Sequence, residues 1–192
     1  MTGNDIVDIK AAVAESNWKR KGFIEKIFTP MEQLYIKAST MPDEMVWKLW
    51  TMKESAYKIY TRQFGGRFFA PQKFSCTLLN QTEGTVDYDN ACYQTSTSTA
   101  KDYIYTIARP AGINNTELIN SCFYLPQIPF LKQQLFIYEK LIAFYRSTTG
   151  ELQINLAILK DKNGIPFLYC GSNWQIPISI THHGRFAAFT IH

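Results

Sequence analysis

Between Val46 and Tyr60 the apolar side chains Val46, Leu49, Trp50, Ala56, Tyr57 and Tyr60 recur at spacings of three and four, with Trp47 and Met52 beside them. That period belongs to an α-helix, and both ends of the segment carry helix-end signals. Asp43 and Glu44 follow Pro42, where acidic side chains favour the positive end of the helix dipole. Phe64-Gly65-Gly66-Arg67 closes the run, because glycine takes a left-handed C-cap without strain. A glycine pair beside Arg67 can also approach a phosphate, but the helix stop is the simpler reading. The pattern predicts a helix over about 42–63. On it Trp50, Glu54 and Lys58 stand at i, i+4 and i+8 and share one face of the stretch WTMKESAYK. By itself, a Glu-Lys pair one turn apart is a solvated pair worth about 0.2–0.5 kcal/mol.

Around this helix the order is helical first and strand-rich second, and it occurs twice. Residues 3–9, GNDIVDI, alternate weakly and predict a strand with Ile6 and either Val7 or Ile9 inward. Short helices are expected over 11–16 and 19–28. Thr29-Pro30 followed by Glu32 opens another, running to about residue 38. From 73 to 109, strand-like runs with turns at Gly84, Asp89-Asn90 and Lys101-Asp102 predict an antiparallel meander. Pro110-Ala111-Gly112 with Asn114-Asn115 is the best boundary and divides the chain into 1–110 and 111–192. Residues 117–124 carry no decisive pattern. A wide apolar stripe over 131–145 predicts a second long helix. Strands follow near 154–160, 166–169, 176–182 and 185–191, with a tight turn at Asn163-Gly164.

A chain of 192 residues suits one domain or two small packed halves. Its 46% hydrophobic and 19% charged content excludes disorder as the overall state. The net charge of +4 suits anionic ligands such as phosphates, or an acidic protein partner. The basic residues are too dispersed for nucleic acid, and aromatics do not interleave with clustered Arg and Lys as RNA binding requires. The four cysteines show no CxxC or Cys/His metal spacing and read as reduced thiols. No run approaches the roughly 20 apolar residues of a membrane span. No signal-peptide pattern opens the chain, so a cytoplasmic protein is expected.

Taken together, GNDIVDI at 3–9, WTMKESAYK at 50–58 and SITHHGRFAA at 179–188 resemble the 4'-phosphopantetheinyl transferase superfamily. That family is marked by a GxD strand, a WxxKE(A/S)xxK helix and an SxSH or SxTH strand start. The motif order resembles that of holo-[acyl-carrier-protein] synthases rather than the surfactin-synthetase type. The resemblance implies an α+β fold of two similar halves packed as a pseudo-dimer, with the active site in the cleft between them. At this length it implies a monomer with one internal interface, in place of the trimers of the smaller synthases. The implied reaction is Mg2+-dependent transfer of the phosphopantetheine arm from coenzyme A to a serine of an apo-acyl, peptidyl or polyketide carrier protein, releasing 3',5'-ADP.

Carried over residue by residue, the resemblance makes Asp5 and Glu54 the metal carboxylates. Lys58 becomes the lysine that contacts the pyrophosphate. Glu54 also stands as general base, directly or through water. His182, with Ser179 and Thr181, is implied to touch the coenzyme A phosphates. Lys53 is either a phosphate neighbour or a solvated charge. Strand alternation puts Asp5 and Val7 on one face and Asp8 on the other, so Asp8 is expected to be structural or to orient other groups. His183 is expected to be structural for the same reason.

Two departures stand out. Val7 occupies the place of a third carboxylate found in some surfactin-type relatives. Ile165, in Asn163-Gly164-Ile165-Pro166, replaces the lysine of a Gly-Lys-Pro turn. Lys160 or Lys162 is then the substitute charge, and Arg146 and Arg185 are further candidates without a motif. These departures keep a second reading open, a carrier-protein- or coenzyme A-binding module that has lost transfer activity.

Overall fold

The computed structural model describes residues 1–66, 68–113, 118–150, 155–171 and 174–192; readings that fall on Arg67, Asn114, Asn115, Glu117 and Ile154 lie outside them. The chain opens with β1 (Gly3–Asp8), followed by α1 (Ile9–Glu15), α2 (Phe23–Ile27), α3 (Pro30–Ala38) and α4 (Pro42–Phe64). Strands β2 (Ser75–Leu78), β3 (Glu83–Tyr88), β4 (Ala91–Thr99) and β5 (Tyr103–Pro110) then meander back to β1. The plan repeats with β6 (Ile119–Tyr124), α5 (Phe130–Thr149), β7 (Leu156–Lys160), β8 (Pro166–Cys170), β9 (Trp174–His183) and β10 (Phe186–Ile191). The two sheets have equivalent orders, β1-β5-β4-β3-β2 and β6-β10-β9-β8-β7, with antiparallel pairing throughout. Each sheet sets its first strand beside its last and carries one long helix. The fold is α+β, two similar halves packed as a pseudo-dimer.

The first core forms where the apolar stripe of α4 meets its sheet. Leu49, Met52, Ala56 and Ile59 are fully buried against residues such as Val86 and Ile104. Each such large side chain contributes about 1.5–3 kcal/mol of transfer free energy. In the second half Leu141 and Tyr145 of α5 pack on Leu168, Ile178 and Phe189.

Several elements differ from the sequence reading for identifiable reasons. All six residues of β1 are buried, not one face. One side of the strand lies under α4, and on the other Ile6 and Tyr105 meet Ala188 of the second sheet. A strand covered on both faces has no reason to alternate. Its approach to α4 is so close that a Cβ on Gly3 would collide with the Ser55 carbonyl oxygen, which explains the glycine of the GxD stretch.

Helix α1 begins at Ile9 because the Asp8 side chain caps it, accepting from the N–H groups of Lys10 and Ala11. The helix expected over 19–28 is confined to Phe23–Ile27, since Gly22 adopts a left-handed φ of 83° immediately before it. Residues 119–124, unassigned from sequence, form β6 because β10 offers them an edge to pair with. At α3 the Thr29–Glu32 capping box is complete in both directions. Among the described residues no helix is long and apolar enough to cross a membrane.

Candidate active site

Strand β1 lies at the seam between the halves, and Asp5 at its centre is bonded to both. Asp5 Oδ1 accepts from Lys58 Nζ of α4 at 3.1 Å and from Thr181 Oγ1 of β9 at 2.9 Å. Lys58 also donates to the Asn4 carbonyl at 2.6 Å. Two residues before Thr181, the fully buried Ser179 Oγ accepts from the Asn4 N–H at 3.3 Å. The first and third motifs are therefore joined by side-chain bonds across 175 and 176 positions of chain.

Beside this junction a cleft of about 600 Å3 opens, with Asp5, Glu54 and His182 in its wall. Trp47 and Trp50 form its apolar side, and Arg20, Lys21 and Lys26 its basic side. Of the metal, catalytic and coenzyme A candidates read from the sequence, Asp5, Glu54 and His182 line the cleft. Lys58, Thr181 and Ser179 stand behind it, holding β1. Neither Trp47 nor Phe69, a further wall residue, carried a signal that could have marked it.

Lys53 is a correction. Its ammonium is not a solvated charge: it is fully buried, 2.7 Å from Glu32 Oε1, and donates as well to the Pro71 and Phe74 carbonyls. Three protons meet three acceptors, so nothing remains to offer a phosphate.

Two smaller cavities adjoin the cleft, one through His182 and one through Glu54 and Phe69. The first, about 360 Å3, shares His182 with it and is lined by Gln133, Tyr138, Lys160, Gly164 and Pro166; Phe130 places its ring 6.2 Å from the imidazole. Of the two candidate substitutes for the missing turn lysine, Lys160 reaches this wall and Lys162 does not. The second, about 220 Å3, shares Glu54 and Phe69 with the cleft; Lys53 is part of its wall, which is otherwise mainly apolar, with Tyr57, Phe68 and Phe74. Arg146 lines none of the three.

Burial, followed by the Asp5 charge, pushes the Glu54 carboxyl up to about 7, against the opposing pull of Lys58. The His182 imidazole is lowered by burial, then by Lys58 and His183. Two carboxylates thus face one cavity, and the charge of Asp5 works against ionisation of Glu54. Among the described residues no group of three or more His, Cys, Asp or Glu converges, so this pair is what the cleft offers a cation.

The Glu54 shift has a consequence for stability. In the metal-free protein its folded value lies above the ordinary 4.5, so the folded chain holds the extra proton between about 4.5 and 7. Stability is therefore lost as pH rises through that window and stays lower above it. Glu54→Gln is expected to melt higher than the parent at pH 8 in chelator, with the difference vanishing near pH 4. Equal melting temperatures at pH 8 would contradict the shift.

A sequence model of the 4'-phosphopantetheinyl transferase superfamily matches residues 1–108. Among solved structures, the apo-ACPS structure of Chronobacterium ammoiniagenes is 16% identical, with 56% of this chain and 93% of that chain covered at a TM-score of 0.47. The holo-[acyl-carrier-protein] synthase of Thermotoga maritima is 10% identical, with 91% of this chain and 83% of that one covered at a TM-score of 0.46. No curated protein matches the chain. With more than half of its length matched by the family's sequence model, the chain belongs to the 4'-phosphopantetheinyl transferase superfamily.

Proposed function

We propose that this protein transfers the 4'-phosphopantetheine arm of coenzyme A to a serine hydroxyl of an apo-carrier protein, releasing 3',5'-ADP, with Mg2+ as its metal. The observation that carries this reading is convergence: Asp5 from β1, Glu54 from α4 and His182 from β9 face one cleft, with Lys58 bonded to Asp5. Asp5 and Glu54 are the residues that would hold Mg2+. Their hard oxygen donors fit it, and their mutual repulsion, part of what raises Glu54, is the imbalance a divalent cation relieves. Two carboxylates suffice because Mg2+ fills its shell with phosphate oxygens and water. When bound, the ion neutralises charge on the pyrophosphate under attack.

The chain's own groups do the rest. Glu54 takes the serine proton, directly or through water, as the hydroxyl oxygen attacks the phosphorus that bears the pantetheine arm. The bond from that phosphorus to the bridging oxygen breaks, and 3',5'-ADP leaves with the electron pair. Lys58 adds fixed positive potential from behind Asp5. The three adjoining cavities suit the substrate's order. His182 and Lys160 line the end that takes the nucleotide and its phosphate. The apolar cavity beyond Glu54 takes the methylated carbons that follow the phosphate in the arm. The basic and aromatic rim of Arg20, Lys21, Lys26 and Phe23 suits an acidic, partly apolar carrier helix.

Incubation with apo-carrier proteins of several types, coenzyme A and Mg2+ is expected to add the mass of one phosphopantetheine to a carrier. Carriers left unmodified while coenzyme A binds measurably would favour the binding-module reading. In the same assay Lys160→Ala is expected to raise the KM for coenzyme A about tenfold, the scale of one hydrogen bond to a charged group. An unchanged KM would remove Lys160 from the site.

A further inference from the structure

The tip of the β9–β10 hairpin belongs to the second half, yet its side chains and backbone are fastened to the end of β1 in the first. Asp8 closes β1 and is almost fully buried. Its Oδ1 accepts from the Lys10 N–H at 3.0 Å and the Ala11 N–H at 3.3 Å, which caps α1. The Arg185 guanidinium meets the same carboxylate with two N–H groups, Nε to Oδ2 and Nη2 to Oδ1, both at 2.8 Å. The Arg185 backbone N–H adds a third bond to Oδ2 at 2.8 Å. A bidentate pair of this kind fixes orientation as well as distance.

The fastening is reinforced on every side. Asp8 donates its own N–H to His183 Nδ1 at 3.0 Å, and His183 Nε2 lies 3.4 Å from Glu15 on α1. Asp102, in the β4–β5 turn, gives the guanidinium a second acceptor at 3.3 Å. Gly184 turns the hairpin at a φ of 53°, and a Cβ there would run into the Asp8 carboxylate and Ala11, so the tip seats only with glycine. Arg185 holds the Asp8 carboxyl well below the usual carboxylate range, which keeps the pair charged at neutral pH.

Asp8 lies three residues beyond Asp5 on β1, and Arg185, in the β9–β10 turn, three residues beyond His182. Neither ion-pair partner is among the cleft-lining residues, whereas His183, between them, is. We propose that Asp8 and Arg185 are positioning residues: their ion pair pins the hairpin tip to β1 and so sets the placement of His182 in the cleft that Asp5 and Glu54 also line. Thr181 and Ser179 already tie the hairpin to β1 further back. His182 lies one residue beyond those ties, toward the tip that the Asp8–Arg185 pair and the Asp8–His183 bond hold to the end of β1. A displacement of about 1 Å in a group that orients substrate costs up to roughly 10²-fold in rate.

This proposal rests on the transferase reading, and a double-mutant cycle tests it. Arg185→Ala, Arg185→Lys, His182→Ala and the Arg185→Ala/His182→Ala pair are compared for kcat, KM for coenzyme A, calorimetric affinity for 3',5'-ADP, and melting temperature. Arg185→Ala is expected to raise that KM and weaken 3',5'-ADP about tenfold in folded protein, with Arg185→Lys recovering part. Added to His182→Ala, it should change neither quantity by more than about twofold, because it acts through the imidazole already removed. Effects that multiply in the pair, or a lowered melting temperature with nucleotide affinity intact, would overturn the proposal. If Arg185→Ala does not fold, Arg185→Lys decides by the same comparison. A parent chain that neither transfers nor binds 3',5'-ADP would overturn the transferase reading, and this proposal with it.

Discussion

Glu54→Gln is expected to lower pantetheinyl transfer by at least about 10²-fold, the scale of losing a preorganised charge-stabilising group, in a protein that still folds. Glutamine keeps the shape of the side chain and removes the charge. That charge is the part the metal and the serine proton need, and it is also the part the fold tolerates badly. Burial and Asp5 both work against it. Loss of activity should therefore come with a gain in metal-free stability at neutral pH, a pairing that a merely structural glutamate would not give. Asp5→Asn should lose transfer to a similar degree but without the gain, since Asp5 holds both Lys58 and Thr181. Transfer assays under single-turnover conditions beside thermal melts read both quantities. Near-normal turnover in either variant would remove that residue from the metal site.

Lys53→Met is expected to destabilise the protein by about 3–5 kcal/mol, the range for leaving one partner of a buried pair uncompensated. Glu32 is fully buried and already committed: Oε1 accepts from the Cys76 N–H at 2.7 Å, and Oε2 from the Thr29 N–H at 2.7 Å as part of the α3 cap. With the ammonium gone, the carboxylate keeps those bonds and loses its counter-charge, while the Pro71 and Phe74 carbonyls lose a donor. Replacing both partners by apolar residues, Glu32→Leu with Lys53→Met, should recover part of the loss, because no isolated charge is then buried. Urea denaturation of the parent, Lys53→Met and the double variant measures this. A loss under about 1 kcal/mol for Lys53→Met would place the lysine in solvent, as a surface pair would behave.

Lys53 and Lys58 show where a sequence stops being informative. They lie five residues apart on one helix and are chemically identical. One is locked into the α3–α4 interior and the other is bonded to Asp5 at the seam. Helical periodicity separates their faces but does not say what each face meets. Lys160 and Lys162 differ in the same way, one on a cavity wall and the other off it. Arg185 had no motif, and nothing near it in sequence announced Asp8 as its partner, 177 positions away.

The elements whose free energy is short-range were legible in the chain's residues alone. These include α4 with its acidic start and glycine stop, the complete capping box at Thr29, and the strand that sets Asp5 and Asp8 on opposite faces. Caps, periods and turns are settled within a few residues, so they can be read from a few residues. It took long-range packing to cover β1 on both sides, to make residues 119–124 a strand, and to bring His182 into the cleft that Glu54 lines. Those outcomes depend on which surfaces the two sheets bury against each other, a choice set by packing over the whole chain and by no local stretch of it.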